Sequence, residues 1–220
     1  KYIEIYNGTG EEIDLSTYKI SSCSNGCNTE GEWDYPDQVI FDAGTMVAAG
    51  DVFVLAHPSA DQSILDQADN TSFTYMSNGN DAVGLVSTAT GFIVDLIGDM
   101  SNSPPDAWDV AGTPSATNEQ TIVRKPSVLN GNTDWAASAG TSADDSEWIV
   151  SDRPTADYTS TTLGSHEMDG GPYLTEGFED GLVPPLTWSI ASFDEYGYSS
   201  SLGWEIGPGT AWYDVSTANS

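Results

Sequence analysis

Positive charge is what this chain has least of. Five Lys and Arg stand against 34 Asp and Glu, a formal net charge of −29 over 220 residues. A surface so poor in cations repels phosphate backbones, so direct binding of nucleic acid is not expected. Long apolar runs are also missing. No stretch of 18 apolar residues occurs, so no membrane insertion is expected, and with a strand pattern opening at Lys1 no signal peptide is expected within these residues. The sequence has no HExxH, no phosphate-cradling glycine loop and no recognisable Ser-His-Asp arrangement. What it does have is enough for a core. An apolar share of 38% with 10% aromatics rules out a disordered class, and the length fits one or two domains. Acidic surfaces of this kind suit salty water, where screening shortens the reach of self-repulsion.

The pattern along the chain is β almost throughout. Strands are predicted at Tyr2–Tyr6, Thr17–Ser22, Gln38–Phe41, Val52–His57, Phe73–Met76, Ala82–Val86, Phe92–Ile97, Thr121–Arg124 and Trp148–Val150, separated by Gly, Asn, Asp and Pro. Ser59–Ala68 breaks the pattern. It carries Ile64, Leu65 and Ala68 at helical spacing, which predicts a short helix with Ser59 as N-cap.

Glu4-Ile5-Tyr6-Asn7 followed by Asp14-Leu15-Ser16-Thr17-Tyr18 resembles the opening of the lamin tail domain, an immunoglobulin-like β-sandwich used by bacteria as an accessory module in secreted proteins. Further stretches resemble successive landmarks of that family: 50–57, 77–83, 94–98, Thr121-Ile122-Val123-Arg124-Lys125 and Leu163-Gly164-Ser165-His166. The resemblance implies an all-β, immunoglobulin-like fold over residues 1–167, an extracellular or cell-surface location, and a role beside other domains of one long polypeptide. It also implies a strand earlier than Tyr2–Tyr6, which would come from an upstream segment or be supplied by a neighbouring subunit through the open β-edge. Residues 168–172 form a Gly/Pro-rich linker. From Tyr173 to Ser220 the sequence, with Phe178-Glu179-Asp180-Gly181 and Pro184-Pro185-Leu186-Thr187-Trp188, resembles the start of a cleaved-adhesin or choice-of-anchor jelly roll.

Four sets of side chains are candidates for chemistry. Cys23 and Cys27 enclose Ser24-Asn25-Gly26; a loop disulfide is favoured over zinc or redox use, because zinc wants four ligands and His57 and His166 are distant in sequence. Glu30, Glu32, Asp34 and Asp37 crowd one loop with Trp33 and Tyr35. That grouping would suit acid–base work on a sugar, although a chain this acidic gathers carboxylates by composition alone. Calcium is a possible cofactor, with Glu176, Glu179 and Asp180 favoured by the second resemblance, and Glu30–Asp37, Asn78–Asp81 and Asp106–Asp109 as further oxygen-rich stretches. Of the seven Trp, Trp33 and Trp108 fall in loops and, with Tyr35, form a candidate glycan platform, whereas Trp148 belongs to a strand and is assigned to the core.

The expected function is a non-catalytic accessory module acting in adhesion, spacing or extracellular assembly. Two alternatives are an accessory domain of an extracellular, nuclease-type hydrolase and a glycan-binding module.

Overall fold

A computed structural model describes residues 1–76, 78–101, 106–152 and 162–169. The chain divides into two compact units, Lys1–Tyr173 and Leu174–Ser220, and every described residue belongs to the first. The stretch resembling a jelly roll, with Glu176, Glu179 and Asp180, lies outside the described residues.

Among the described residues ten strands and two short helices follow one another: β1 (Tyr2–Tyr6), β2 (Ile13–Asp14), β3 (Tyr18–Cys23), β4 (Tyr35–Ile40), β5 (Met46–Val47), β6 (Val52–Ala56), α1 (Gln62–Leu65), β7 (Ala82–Ser87), β8 (Ile93–Ile97), β9 (Gln120–Arg124), α2 (Trp135–Ala139) and β10 (Trp148–Asp152). Among the described residues these strands pair antiparallel, and one isolated parallel bridge joins Leu55 to Asn70. One sheet runs β4-β3-β7-β8, while β1 pairs with β6, β9 with β10, and β2 with β5. The fold is an all-β, immunoglobulin-like sandwich.

The opening phrase of the sequence is a set of structural parts. Side chains alternate along β1, so Ile3 and Ile5 join the core while Tyr2, Glu4 and Tyr6 take the other face. Asn7 ends the strand fully buried. Its Nδ2 lies 2.8, 2.9 and 3.1 Å from the carbonyls of Glu11, Val47 and Ala48, and its Oδ1 accepts from the Thr9 N–H at 3.0 Å. One amide thereby satisfies backbone groups of the turn after β1 and of the chain at the end of β5. Asp14 accepts from the Ser16 N–H at 2.9 Å and caps a single 3-10 turn, Leu15–Thr17, that drives Leu15 into the core.

Three apolar clusters fill the interior. The first joins Ile5, Leu15, Ile20, Phe41, Phe53 and Phe73 with their aliphatic neighbours. The second is built from Trp108, Trp135 and Trp148 with Val110, Ala116 and Ala139. The third places Ile64 of α1 and Leu163 against Val54 and Ala56 of β6.

Three expectations need correction. Phe73–Met76 is not a strand; Phe73 is fully buried, but from an irregular segment. The helix is shorter than its pattern. Asp61, not Ser59, is the N-cap, accepting from the Ser63 N–H at 3.0 Å, because His57 Nδ1 already accepts the Ser59 N–H at 3.0 Å and holds that residue in the preceding turn. Trp108 is not a free loop residue. It is 7% exposed, and its ring edge lies against Gly98, where a Cβ would fall 2.8 Å from the indole Nε1.

Candidate functional site

Cys23 and Cys27 are joined in a disulfide, with Cα atoms 4.8 Å apart, at the end of β3. Asn25 and Gly26 inside the ring take left-handed backbone angles, φ 56° and 90°, the turn that so small a loop requires. The acidic loop that follows faces water: Glu30 and Glu32 are exposed. The Asp34 carboxylate accepts from the Asn28 N–H at 2.9 Å and from its side-chain amide at 2.8 Å. Asp37 pairs with Lys19 at 2.7 Å. Asp34 and Asp37 are thus bound to the fold's own donors.

Beside this loop opens a cavity of about 540 Å³ lined by Asp34, Tyr35, Asp37, Gln38, Tyr75 and Asp81, among others. Tyr35 is 51% exposed and Tyr75 79%, so both rings present apolar faces to solvent. Trp33 is half-buried. Its ring lies on β7 over Gly84, where a Cβ would come within 2.6 Å of it. Of the expected platform, Tyr35 is therefore at the surface, Trp33 is partly committed to the sheet and Trp108 is in the core. Tyr75 replaces it, and sequence reasoning missed Tyr75 by placing it in a strand. Among the described residues no group of three or more His, Cys, Asp and Glu is arranged to hold a metal ion.

The second opening is a groove of about 590 Å³ with β1 and β9 among its walls. Ile20, Val83, Leu85 and Ile97, which belong to or pack against the two larger cores, also line it. Over the outer face of β1 runs the segment 162–169. The Gly164 N–H donates to Glu4 Oε2 at 2.7 Å, and His166 meets the Tyr6 ring edge-on at 4.7 Å between centroids. Burial pushes the Glu4 carboxyl up to about 7, with the Gly164 hydrogen bond opposing it, and burial lowers His166.

Charge is also concentrated at Arg124 on β9, a cluster the sequence did not reveal. Its guanidinium binds Asp95 of β8 and Glu147, lies 4.2 Å over the Trp148 ring, and is 3.3 Å from Ser138 Oγ. The Trp148 indole N–H donates to Ser138 Oγ at 2.9 Å, and Asn132 donates to Glu147 at 2.8 Å. Burial raises the Asp95 pKa while Arg124 opposes the shift. The available signal was scarcity: Arg124 is one of only five cations and follows the apolar pair Ile122-Val123 in its strand.

No curated protein and no solved structure matches the chain. Residues 1–100 match the family model of the Lamin Tail Domain, to which this part of the chain is similar.

Proposed function

We infer that the chain is a non-catalytic accessory module of a larger exported protein, serving in adhesion, spacing or extracellular assembly. One observation carries the reading: of the four carboxylates that invited a catalytic assignment, Asp34 is engaged by Asn28 and Asp37 by Lys19, while Glu30 and Glu32 stand exposed on the loop. General acid–base work needs a carboxyl within reach of a substrate proton and tuned to the task. The lamin tail match and the loop disulfide support an exported module, since such bridges persist in oxidising compartments. In an exported hydrolase the same module would sit beside a catalytic domain. The purified chain is expected to leave DNA, phosphoesters and common polysaccharides intact with or without divalent metal. Turnover that disappears in Glu32→Gln or Asp34→Asn would overturn the reading.

Glycan binding is a second reading, favoured by Tyr35 and Tyr75 at one cavity with Asp34, Asp37 and Gln38. Aromatic faces carry the apolar side of a sugar, and carboxylates and amides bind its hydroxyls. Affinity electrophoresis against a polysaccharide panel tests it. Retardation by one polysaccharide, lost in Tyr35→Ala and Tyr75→Ala, is the expected result, and uniform mobility on the whole panel would remove the reading.

A further inference from the structure

We propose that Asn70 is a modification site that carries an N-linked oligosaccharide on its side-chain nitrogen, within the triplet Asn70-Thr71-Ser72. The proposal goes beyond the accessory reading and draws on it only for the exported location. An Asn with Ser or Thr two residues further on is the acceptor pattern for a sugar, and it can serve as one where it forms a surface loop of a secreted protein. The chain has two such triplets, Asn7-Gly8-Thr9 and Asn70-Thr71-Ser72, and the fold treats them in opposite ways. Asn7 is closed. It is 1% exposed, and its Nδ2 donates to the carbonyls of Glu11, Val47 and Ala48. A sugar on that nitrogen would replace a hydrogen that makes these bonds and would need space that a packed interior lacks.

Asn70 is open. Its backbone is fixed beside β6, where its N–H donates to the Val54 carbonyl at 3.2 Å and its carbonyl accepts from the Ala56 N–H at 2.8 Å. Its side-chain oxygen accepts from the Ser72 N–H at 2.7 Å, which folds the third residue of the triplet back toward the carboxamide. That bond uses the oxygen and leaves the nitrogen: among the described residues no group accepts from Asn70 Nδ2. Asn70 is half-buried, Thr71 and Ser72 are exposed, and the fully buried Phe73 anchors the far end, so the triplet is a short surface loop held at both sides. Attachment there removes no hydrogen bond of the fold. The transfer is a substitution at the anomeric carbon of a sugar carried on a polyprenyl pyrophosphate. Nδ2 forms the C–N bond as the anomeric C–O bond breaks, the polyprenyl pyrophosphate leaves with the electron pair, and the proton lost from Nδ2 passes to a base of the transferring enzyme. Nothing is oxidised or reduced, and the Asn70 oxygen continues to accept from Ser72.

The test has two arms, both read by proteolysis and mass spectrometry. In the first, the chain is recovered from outside the cells that make it. The peptide holding Asn70 should be heavier by the mass of an oligosaccharide, and the peptide holding Asn7 should be unmodified. In the second, the unmodified, folded full chain is given to an oligosaccharyltransferase with a polyprenyl-pyrophosphate-linked sugar, beside two synthetic peptides that carry the same triplets without the fold. Both peptides should accept the sugar, and the folded chain should accept it at Asn70 alone. Ser72→Ala keeps the backbone N–H that bonds to Asn70 but removes the hydroxyl of the acceptor pattern, so it should abolish transfer while leaving the thermal melt unchanged; Ser72→Thr should retain transfer. Four results would overturn the proposal: bare Asn70 in the exported chain, no transfer to Asn70 in the folded chain or in its peptide, transfer to Asn7 in the folded chain, or transfer to Asn70 that survives Ser72→Ala. None of these touches the accessory reading, which fails only on turnover in the hydrolysis assay.

Discussion

The two larger cores of the sandwich are built from opposite materials. The first is aliphatic and phenylalanine-rich, with Leu15 and Phe73 wholly enclosed and Phe41 meeting Phe53 edge-on at 5.5 Å between centroids. The second packs Trp108, Trp135 and Trp148 at 6.1 and 6.3 Å around a single arginine with two carboxylates. Packing alone specifies the first core, because its parts carry no polar group that must be satisfied. In the second, each indole and each charge needs a partner placed by a distant stretch of chain, so its stability depends on a network rather than on volume.

The largest effect is expected in the aliphatic core. Phe73→Ala empties a fully buried site on an irregular segment and should cost about 4 kcal/mol, from lost transfer energy and the cavity left behind. Denaturant titration measures it. A loss under about 1 kcal/mol would show that the segment collapses into the space, and the distinction between the two cores would weaken.

Arg124→Met should cost somewhat less, about 3 kcal/mol, because Asp95 and Glu147 would be left in a half-buried site without their cation. Arg124 is only 13% exposed, so solvent screens the pair little. The pH dependence separates charge from packing. With its cation gone, Asp95 is raised further by burial, so the variant's deficit should be largest at neutral pH and shrink toward pH ~4, where the carboxyl takes up a proton. Urea titrations of both proteins at the two pH values check this, and a deficit independent of pH would assign the loss to packing on Trp148.

That contrast also explains what the sequence could and could not disclose. Strands β1, β6, β7 and β8 were legible because alternation and flanking turn residues are local, and Tyr2–Tyr6 matches to the residue. The two-residue strands β2 and β5 carry no period to detect, and α2 is too short for one. Trp108 was misplaced because nothing local tells a loop tryptophan in solvent from one lying on Gly98. The cysteine loop was legible from spacing and from the lack of further ligands. The Arg124 cluster joins residues 29 and 23 positions away, the Tyr35–Tyr75 cavity depends on how separate loops settle, and neither leaves a periodic trace.

A smaller effect is expected at the edge of the first core, where β3 runs into the disulfide. By the chain-entropy estimate a ring this tight contributes about 2 kcal/mol at most, so replacing Cys23 and Cys27 by Ser should lower stability by that amount or less without loss of fold. The unreduced, denatured chain should carry no free thiol. Two reactive thiols per chain would contradict the bridge and reopen metal binding at the loop.

The smallest effect concerns Glu4, on the face of β1 turned away from the aliphatic core. Its pKa rises from 4.5 to about 7 on folding, so between these values the folded chain holds a proton that the unfolded chain has released. Stability from this group is therefore greatest below pH 4.5 and is lost as pH rises through about 7. The full shift overstates the size, because the carboxyl remains partly open to solvent; screening brings the contribution to about 1 kcal/mol. His166, lowered by burial, acts in the opposite direction, since its protonation favours the unfolded chain as pH falls below 6.5. Asp95, raised from 3.8, adds to the Glu4 trend at the acid end. The difference between the parent chain and Glu4→Gln removes both contributions, for neither His166 nor Asp95 is changed. Glutamine keeps an oxygen for the Gly164 N–H, so the two proteins should be nearly equal near pH 4.5, with the variant more stable by about 1 kcal/mol at pH 8. Thermal melts at a series of pH values between these limits measure it, and a constant difference would mean that Glu4 is not the group that titrates.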